Sequence, residues 1–160
     1  MNDPTHILNW RRINERITTS GQPNETQMAE IKALGVSHVV NLGVHHQGTG
    51  ALADEPATVA KLGMEYIYIP VDFEHPTDAD FAAFEEALAA HPDATIHVHC
   101  IYNARVCAFF YRFAKSRPDL SEAEAFDRME SIWRPGDDWA RFIDSPAAEG
   151  QPNRYSGEDY

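Results

Sequence analysis

Residues 95–106 read Thr95-Ile96-His97-Val98-His99-Cys100-Ile101-Tyr102-Asn103-Ala104-Arg105-Val106. The first five residues alternate β-branched and polar side chains, the pattern of a short strand. From Arg105 onward, Val106, Phe109, Phe110 and Phe113 recur at helical spacing. Between strand and helix lies a tight turn. Such a turn aims successive backbone N–H groups inward, and the start of the helix adds partial positive charge. The product is an anion site. Its expected lining is Ile101, Tyr102, Asn103, Ala104 and Arg105, with the Arg105 guanidinium forking onto phosphate or sulfate oxygens. A cysteine at the strand end shares that positive field, which favours its thiolate and makes Cys100 a nucleophile. On its own Cys100 reads rather as a small buried apolar residue. His99 before it, Arg105 after it and the strand-to-helix setting favour function.

Three more strands precede this one. They are read at Ile17-Thr18-Thr19, Ser37-His38-Val39-Val40-Asn41-Leu42 and Glu65-Tyr66-Ile67-Tyr68-Ile69-Pro70-Val71. Helices fall between and after them. Asn24 caps a helix with Met28, Ile31 and Leu34 that ends at Gly35. Capping boxes are read at Thr77-Asp78-Ala79-Asp80 and Ser121-Glu122-Ala123-Glu124, the second helix closing before Pro135. A short last helix is expected near residues 139–143. Alternating strands and helices predict an α/β fold, a mainly parallel sheet of four to five strands flanked by helices. The helix after Arg105 is apolar on most sides, which suits burial between sheet and helices. Residues 1–144 are expected to form one domain. Residues 145–160, rich in Pro, Gly and polar side chains, are read as a tail or surface strap.

The 160 residues carry 25 acidic against 13 basic side chains, a formal charge of −12. That field opposes broad nucleic-acid or anionic-membrane binding but leaves room for a small phosphorylated ligand at one local positive site. No apolar run approaches the ~20 residues of a membrane span. Met1-Asn2-Asp3-Pro4-Thr5 lacks a basic stretch followed by an apolar core, so no secretory signal is read there, and a cytoplasmic protein of bacterial type is expected. Two cysteines make no disulfide framework, and Cys107 is read as a core residue. His97 and His99 share one side of their strand, and His45 and His46 follow another. Their spacing matches no zinc pattern, so neither metal nor cofactor is expected. Asn41, His45 and His46 are candidates for the pocket rim. Tyr102 is a candidate for its mouth. Trp133, Trp139 and Phe142 are read as packing between C-terminal helices.

His-Cys, a short turn and Arg resemble the signature of protein tyrosine and dual-specificity phosphatases. Upstream, Ile17-Thr18-Thr19-Ser20-Gly21-Gln22-Pro23, Gly35-Val36-Ser37-His38-Val39-Val40-Asn41-Leu42 and Tyr68-Ile69-Pro70-Val71-Asp72 look like the beta-lactamase-hydrolase-like phosphatases of bacteria, over roughly residues 9–115. The resemblance implies the cysteine-phosphatase fold and a phosphatase-like hydrolase. Cys100 would attack phosphorus and form a thiophosphoryl enzyme. The 101–105 N–H groups and Arg105 would hold the equatorial oxygens, and His99 would orient the loop. Asp72, 28 residues before Cys100, would protonate the leaving oxygen, with Glu74 or His75 as substitutes. A phosphorylated small molecule or phosphoprotein would be the substrate.

The chain departs from that signature in three ways. Four residues separate Cys100 from Arg105 where five are usual. The turn lacks glycine, with Asn103 the best substitute because Asn tolerates left-handed backbone angles. Val106 stands where a Ser or Thr hydroxyl usually helps the cysteine leave. The short loop also resembles that of rhodanese-type sulfurtransferases, whose cysteine carries a persulfide. A phosphate-binding module without turnover is the third reading.

Overall fold

The computed structural model describes residues 2–45 and 51–155. Its elements run β1 (Arg11–Arg12), β2 (Ile17–Ser20), α1 (Glu25–Ala33), β3 (His38–Asn41), α2 (Glu55–Lys61), β4 (Glu65–Tyr68), α3 (Asp78–Ala89), β5 (Ile96–His99), α4 (Ala104–Ala114), α5 (Glu122–Glu130), β6 (Trp133–Arg134), α6 (Asp137–Phe142) and β7 (Arg154–Tyr155). The main sheet has the order β1-β2-β5-β3-β4. Strands β2 to β5 are all parallel, and β1 adds an antiparallel edge. This is the α/β architecture with a mainly parallel, five-stranded sheet that the strand–helix alternation predicts.

Register places the chemistry. One row across the sheet joins Ser20, His99, Asn41 and Tyr68 at the C-terminal ends of the parallel strands. The turn carrying Cys100 therefore leaves from the middle of the sheet, at the end where parallel α/β sheets hold their ligands.

The period of two divides the strands between two cores. Val39 and Tyr66 face α1 and α2, with Met28, Ile31 and Val59. Ile17, Val40, Ile96 and Val98 face α3 to α6. The second core is aromatic. Phe84 meets Phe109, Phe110 and Phe113 edge-on at 5.1–5.6 Å. Each such contact adds about 0.5–1.5 kcal/mol beyond burial. Helix α4 buries nine of its eleven residues, so the expected central helix is present.

The capping boxes at Asn24 and Thr77 are both complete. At Ser121 the hydroxyl accepts from the Glu124 N–H, which is half of the predicted box. Helix α5 ends at Glu130, and Trp133 and Arg134 follow as a strand, so Trp133 is not helical. It pairs with Tyr155 of the C-terminal segment. That segment lies flat on the domain: Asp137 N–H donates to Gln151 O and Gly136 N–H to Asn153 Oδ1. Besides β6 and β7, strand β1 and helix α2 escape sequence reading. Strand β1 is two charged residues, and α2 has a single buried apolar side chain, Val59.

Candidate functional site

Cys100 follows β5 directly and is 1% exposed. Asn103 then takes φ 69° and ψ 7°, the left-handed conformation that the glycine-free turn required of it. Its amide explains why that conformation holds: Nδ2 donates to Asn9 O (2.8 Å) and Thr19 Oγ1 (3.0 Å). Because that side chain is spent on β2 and its approach, it makes no cap to α4. The first hydrogen bond inside α4 at this end runs from Cys107 N–H to Asn103 O (3.1 Å). The N–H groups of Ala104, Arg105 and Val106 thus open the helix without an acceptor within it. They lie beside Cys100 at the positive end of an eleven-residue helix.

The turn is braced by the residues around it. Gln22 N–H donates to Ile101 O (3.0 Å), and Asn9 Nδ2 donates to Tyr102 O (2.9 Å). Two glycines let backbone approach backbone. A Cβ at Gly21 would lie 2.8 Å from Ile101 O, and one at Gly43 would lie 3.3 Å from Cys100 Cα and Ile101 N. Ser20-Gly21-Gln22-Pro23, read above as a family mark, is thus the seat of the loop.

Arg105 is buried, and its Nη1 donates to Val71 O at 2.7 Å. Its guanidinium also lies 5.5 Å from the centre of the Phe73 ring. The loop so held is the one that carries Asp72. Asp72 itself is exposed, and its carboxylate accepts from Glu74 N–H (2.8 Å). Phe73 anchors the loop from below. It lies against Trp133 and Trp139, and Trp139 Nε1 donates to Phe73 O at 2.7 Å. Glu74 and His75 are exposed, with His75 paired to Asp138 at 3.0 Å. The structure therefore joins Arg105 to the Asp72 loop through backbone and ring contacts.

His99 is fully buried. Its Nδ1 lies 3.0 Å from Cys100 O, and its Nε2 lies 2.7 Å from Glu55 Oε2. Glu55, at the start of α2, also accepts from Gln22 Nε2 (2.7 Å) and Asn41 Nδ2 (3.3 Å). Burial alone would raise its pKa. The hydrogen bond and charge of His99 and the hydrogen bonds from Gln22 and Tyr66 outweigh that and lower it to about 2. Sequence reading missed Glu55. The available signal was indirect: a buried histidine needs partners for both nitrogens.

His97 and His45 are also hydrogen-bonded. His97 Nδ1 is 2.8 Å from Thr18 Oγ1 and its Nε2 2.8 Å from Ser20 Oγ, and burial lowers its pKa well below the usual histidine value. His45 Nε2 lies 2.9 Å from Tyr66 Oη, and Tyr66 Oη accepts from Asn41. His46 lies outside the described residues. Cys107 is buried with Sγ 3.6 Å from Asn103 Oδ1, and burial pushes its thiol up to about 12, in keeping with a core role. Tyr102 packs on the aromatic core and meets Tyr155 edge-on at 6.1 Å.

No family model matches the chain. A beta-lactamase hydrolase-like protein of Agrobacterium fabrum is 29% identical over 101 residues, covering 62% of this chain and 23% of that protein. The chain thus spans about a quarter of the length of that relative. A candidate phosphatase of the DUF442 group from Shewanella putrefaciens is 29% identical and superposes with a TM-score of 0.77 over 91% of this chain and 95% of that one. The chain resembles the beta-lactamase hydrolase-like proteins and has the fold of cysteine-based phosphatases. The fold extends to TpbA of P. aeruginosa, solved with phosphotyrosine, at 19% identity and a TM-score of 0.62 over 81% of this chain and 75% of that one.

Proposed function

We propose that this chain hydrolyses a phosphomonoester through Cys100. The observation that carries the reading is the turn itself. Cys100 stands at the C-terminal end of the central strand, beside an uncapped helix start whose first turn carries a buried arginine. That arrangement suits a tetrahedral oxyanion and a thiolate together.

In the first step the Cys100 thiolate attacks phosphorus. A sulfur–phosphorus bond forms and the bond to the leaving oxygen breaks. The 101–105 N–H groups and the remaining N–H groups of Arg105 carry the charge of the equatorial oxygens. Asp72 gives its proton to the departing oxygen, which leaves as an alcohol or phenol. In the second step water attacks phosphorus, Asp72 takes the proton, and Cys100 departs as thiolate with release of phosphate. Val106 offers no hydroxyl to that departing sulfur, so the second step is the slow one.

The solved phosphatases of like fold support this reading over sulfur transfer through a Cys100 persulfide. The substrate class is a phosphorylated small molecule or a phosphoprotein, bound without metal or other cofactor. Among the described residues no helix is long and apolar enough to cross a membrane, and the strongly acidic chain favours a substrate other than nucleic acid. Release of nitrophenol from an aryl phosphate tests the proposal. Wild-type protein releases it and Cys100→Ser does not; equal rates in the two proteins would end the covalent mechanism.

A further inference from the structure

We propose that Glu55 is a positioning residue for the Cys100 nucleophile, holding His99 as an imidazolium whose other ring proton is fixed on the Cys100 carbonyl oxygen. The inference rests on the reading of Cys100 as the nucleophile.

The argument begins with acceptors. His99 Nδ1 faces Cys100 O at 3.0 Å, and a backbone carbonyl only accepts. His99 Nε2 faces Glu55 Oε2 at 2.7 Å. With Glu55 ionised, a neutral imidazole, which has one N–H, would press a nitrogen lone pair against an oxygen lone pair at one of these two contacts. Both groups are buried, His99 at 0% and Glu55 at 5% exposure, so water is poorly placed to relieve the clash. Two protons on the ring satisfy both contacts.

Glu55 is built to be the counter-anion. Four donors converge on it: His99 from β5, Gln22 from beyond β2, Asn41 from β3 and Tyr66 from β4. The Tyr66 hydroxyl also accepts from Asn41 Nδ2. His45 in turn contacts the Tyr66 hydroxyl. His99 is the partner on Glu55 that can carry positive charge; Gln22, Asn41 and Tyr66 are neutral donors. The low pKa of Glu55 agrees with an ionised carboxylate in this setting.

The order of the charges matters. The imidazolium touches the residue that bears the thiol, and the carboxylate lies on its far side. Cys100 therefore meets the positive end of the pair first, which favours its thiolate. The same two hydrogen bonds fix the Cys100 carbonyl and hence the plane in which the turn begins. Helix α2 has a single buried apolar side chain, Val59, yet it supplies this anchor from 44 residues away.

The test uses intact protein. Alkylation of Cys100 by iodoacetamide is followed against pH by peptide mass mapping, with Cys107, whose thiol is pushed up to about 12 by burial, as internal control. In Glu55→Gln the uncharged amide lets His99 keep one proton, on Nδ1, so the contact to Cys100 O survives while the charge goes. Alkylation is expected to slow ~10-fold at mildly acid pH, kcat for an aryl phosphate to fall with KM little changed, and Glu55→Asp to restore part of both. Nitrogen-15 spectra of the wild type are expected to show two ring N–H groups on His99 at neutral pH. An unchanged alkylation profile in folded Glu55→Gln overturns the proposal. So does a single ring N–H in the wild type, which decides the matter even if Glu55→Gln does not fold. If the wild type fails to hydrolyse any phosphate while alkylation and spectra behave as stated, the phosphatase reading fails and the role of Glu55 stands.

Discussion

The Arg105 guanidinium donates to the carbonyl of Val71 at 2.7 Å, one residue before Asp72. Through that bond the proposed anion loop and the proposed acid loop share one side chain. The same guanidinium lies over Phe73, one residue after Asp72. The proposed mechanism thus gives Arg105 two tasks, to receive phosphate oxygens and to hold the proposed acid loop in place. Arg105→Lys keeps the charge but loses the planar fork. Aryl phosphate turnover is expected to fall ~10²–10³-fold, the usual loss for a donor at developing charge. A modest drop in thermal midpoint should accompany it. Turnover within a few fold of wild type would remove Arg105 from the site.

Gly21 is the floor under the turn. Its absent side chain leaves room for Ile101 O, which a Cβ would meet at 2.8 Å. The second near neighbour, Leu8, can move aside; the carbonyl is held by Gln22 N–H and cannot move cheaply. Gly21→Ala is expected to cost about 1–3 kcal/mol in urea unfolding and to lower turnover by displacing the loop. Wild-type stability together with wild-type turnover would contradict this.

Val106 is fully buried at the position after Arg105. Val106→Thr changes shape little and adds a hydroxyl toward the sulfur that must leave. If breakdown of the thiophosphoryl enzyme is slow, wild-type protein shows a burst of nitrophenol followed by a slower steady rate. Val106→Thr is expected to raise the steady rate and leave the burst rate alone. Stopped-flow absorbance distinguishes the two phases.

Folding stability should carry the signature of Glu55. Its carboxyl moves from an ordinary value of 4.5 to about 2 on folding. The folded state therefore holds the proton more weakly than the unfolded one. The resulting stability is fully present above about 4.5 and is lost as pH falls toward about 2. Urea unfolding across that range should show a steeper acid decline in wild type than in Glu55→Gln. Parallel curves would mean that Glu55 titrates normally.

The sheet was legible because its strands are short runs of β-branched and aromatic residues. The turn was legible too: a glycine-free Cys–Arg spacing singled out Asn103 as the left-handed residue, and it has φ 69°. What stayed hidden was set by distance across the fold. Strand β1 is Arg11-Arg12, which has no strand signal and forms only because β2 offers an edge. Asp54-Glu55-Pro56 has the N-cap and proline of a helix start, but α2 lacks the apolar repeat that would mark it. Glu55 reads as one surface acid among 25 until the fold encloses it. The aim of Arg105 at Val71 likewise depends on where β4 ends, which no local pattern gives.

Covalent chemistry at Cys100 is the centre of the account, and trapping tests it most directly. Wild-type protein mixed with an aryl phosphate is quenched in acid within the burst, digested and weighed by mass spectrometry. The account predicts one phosphoryl group on the peptide containing Cys100, none on that containing Cys107, and none in Cys100→Ser. Steady turnover with an unmodified Cys100 peptide at every quench time would contradict it.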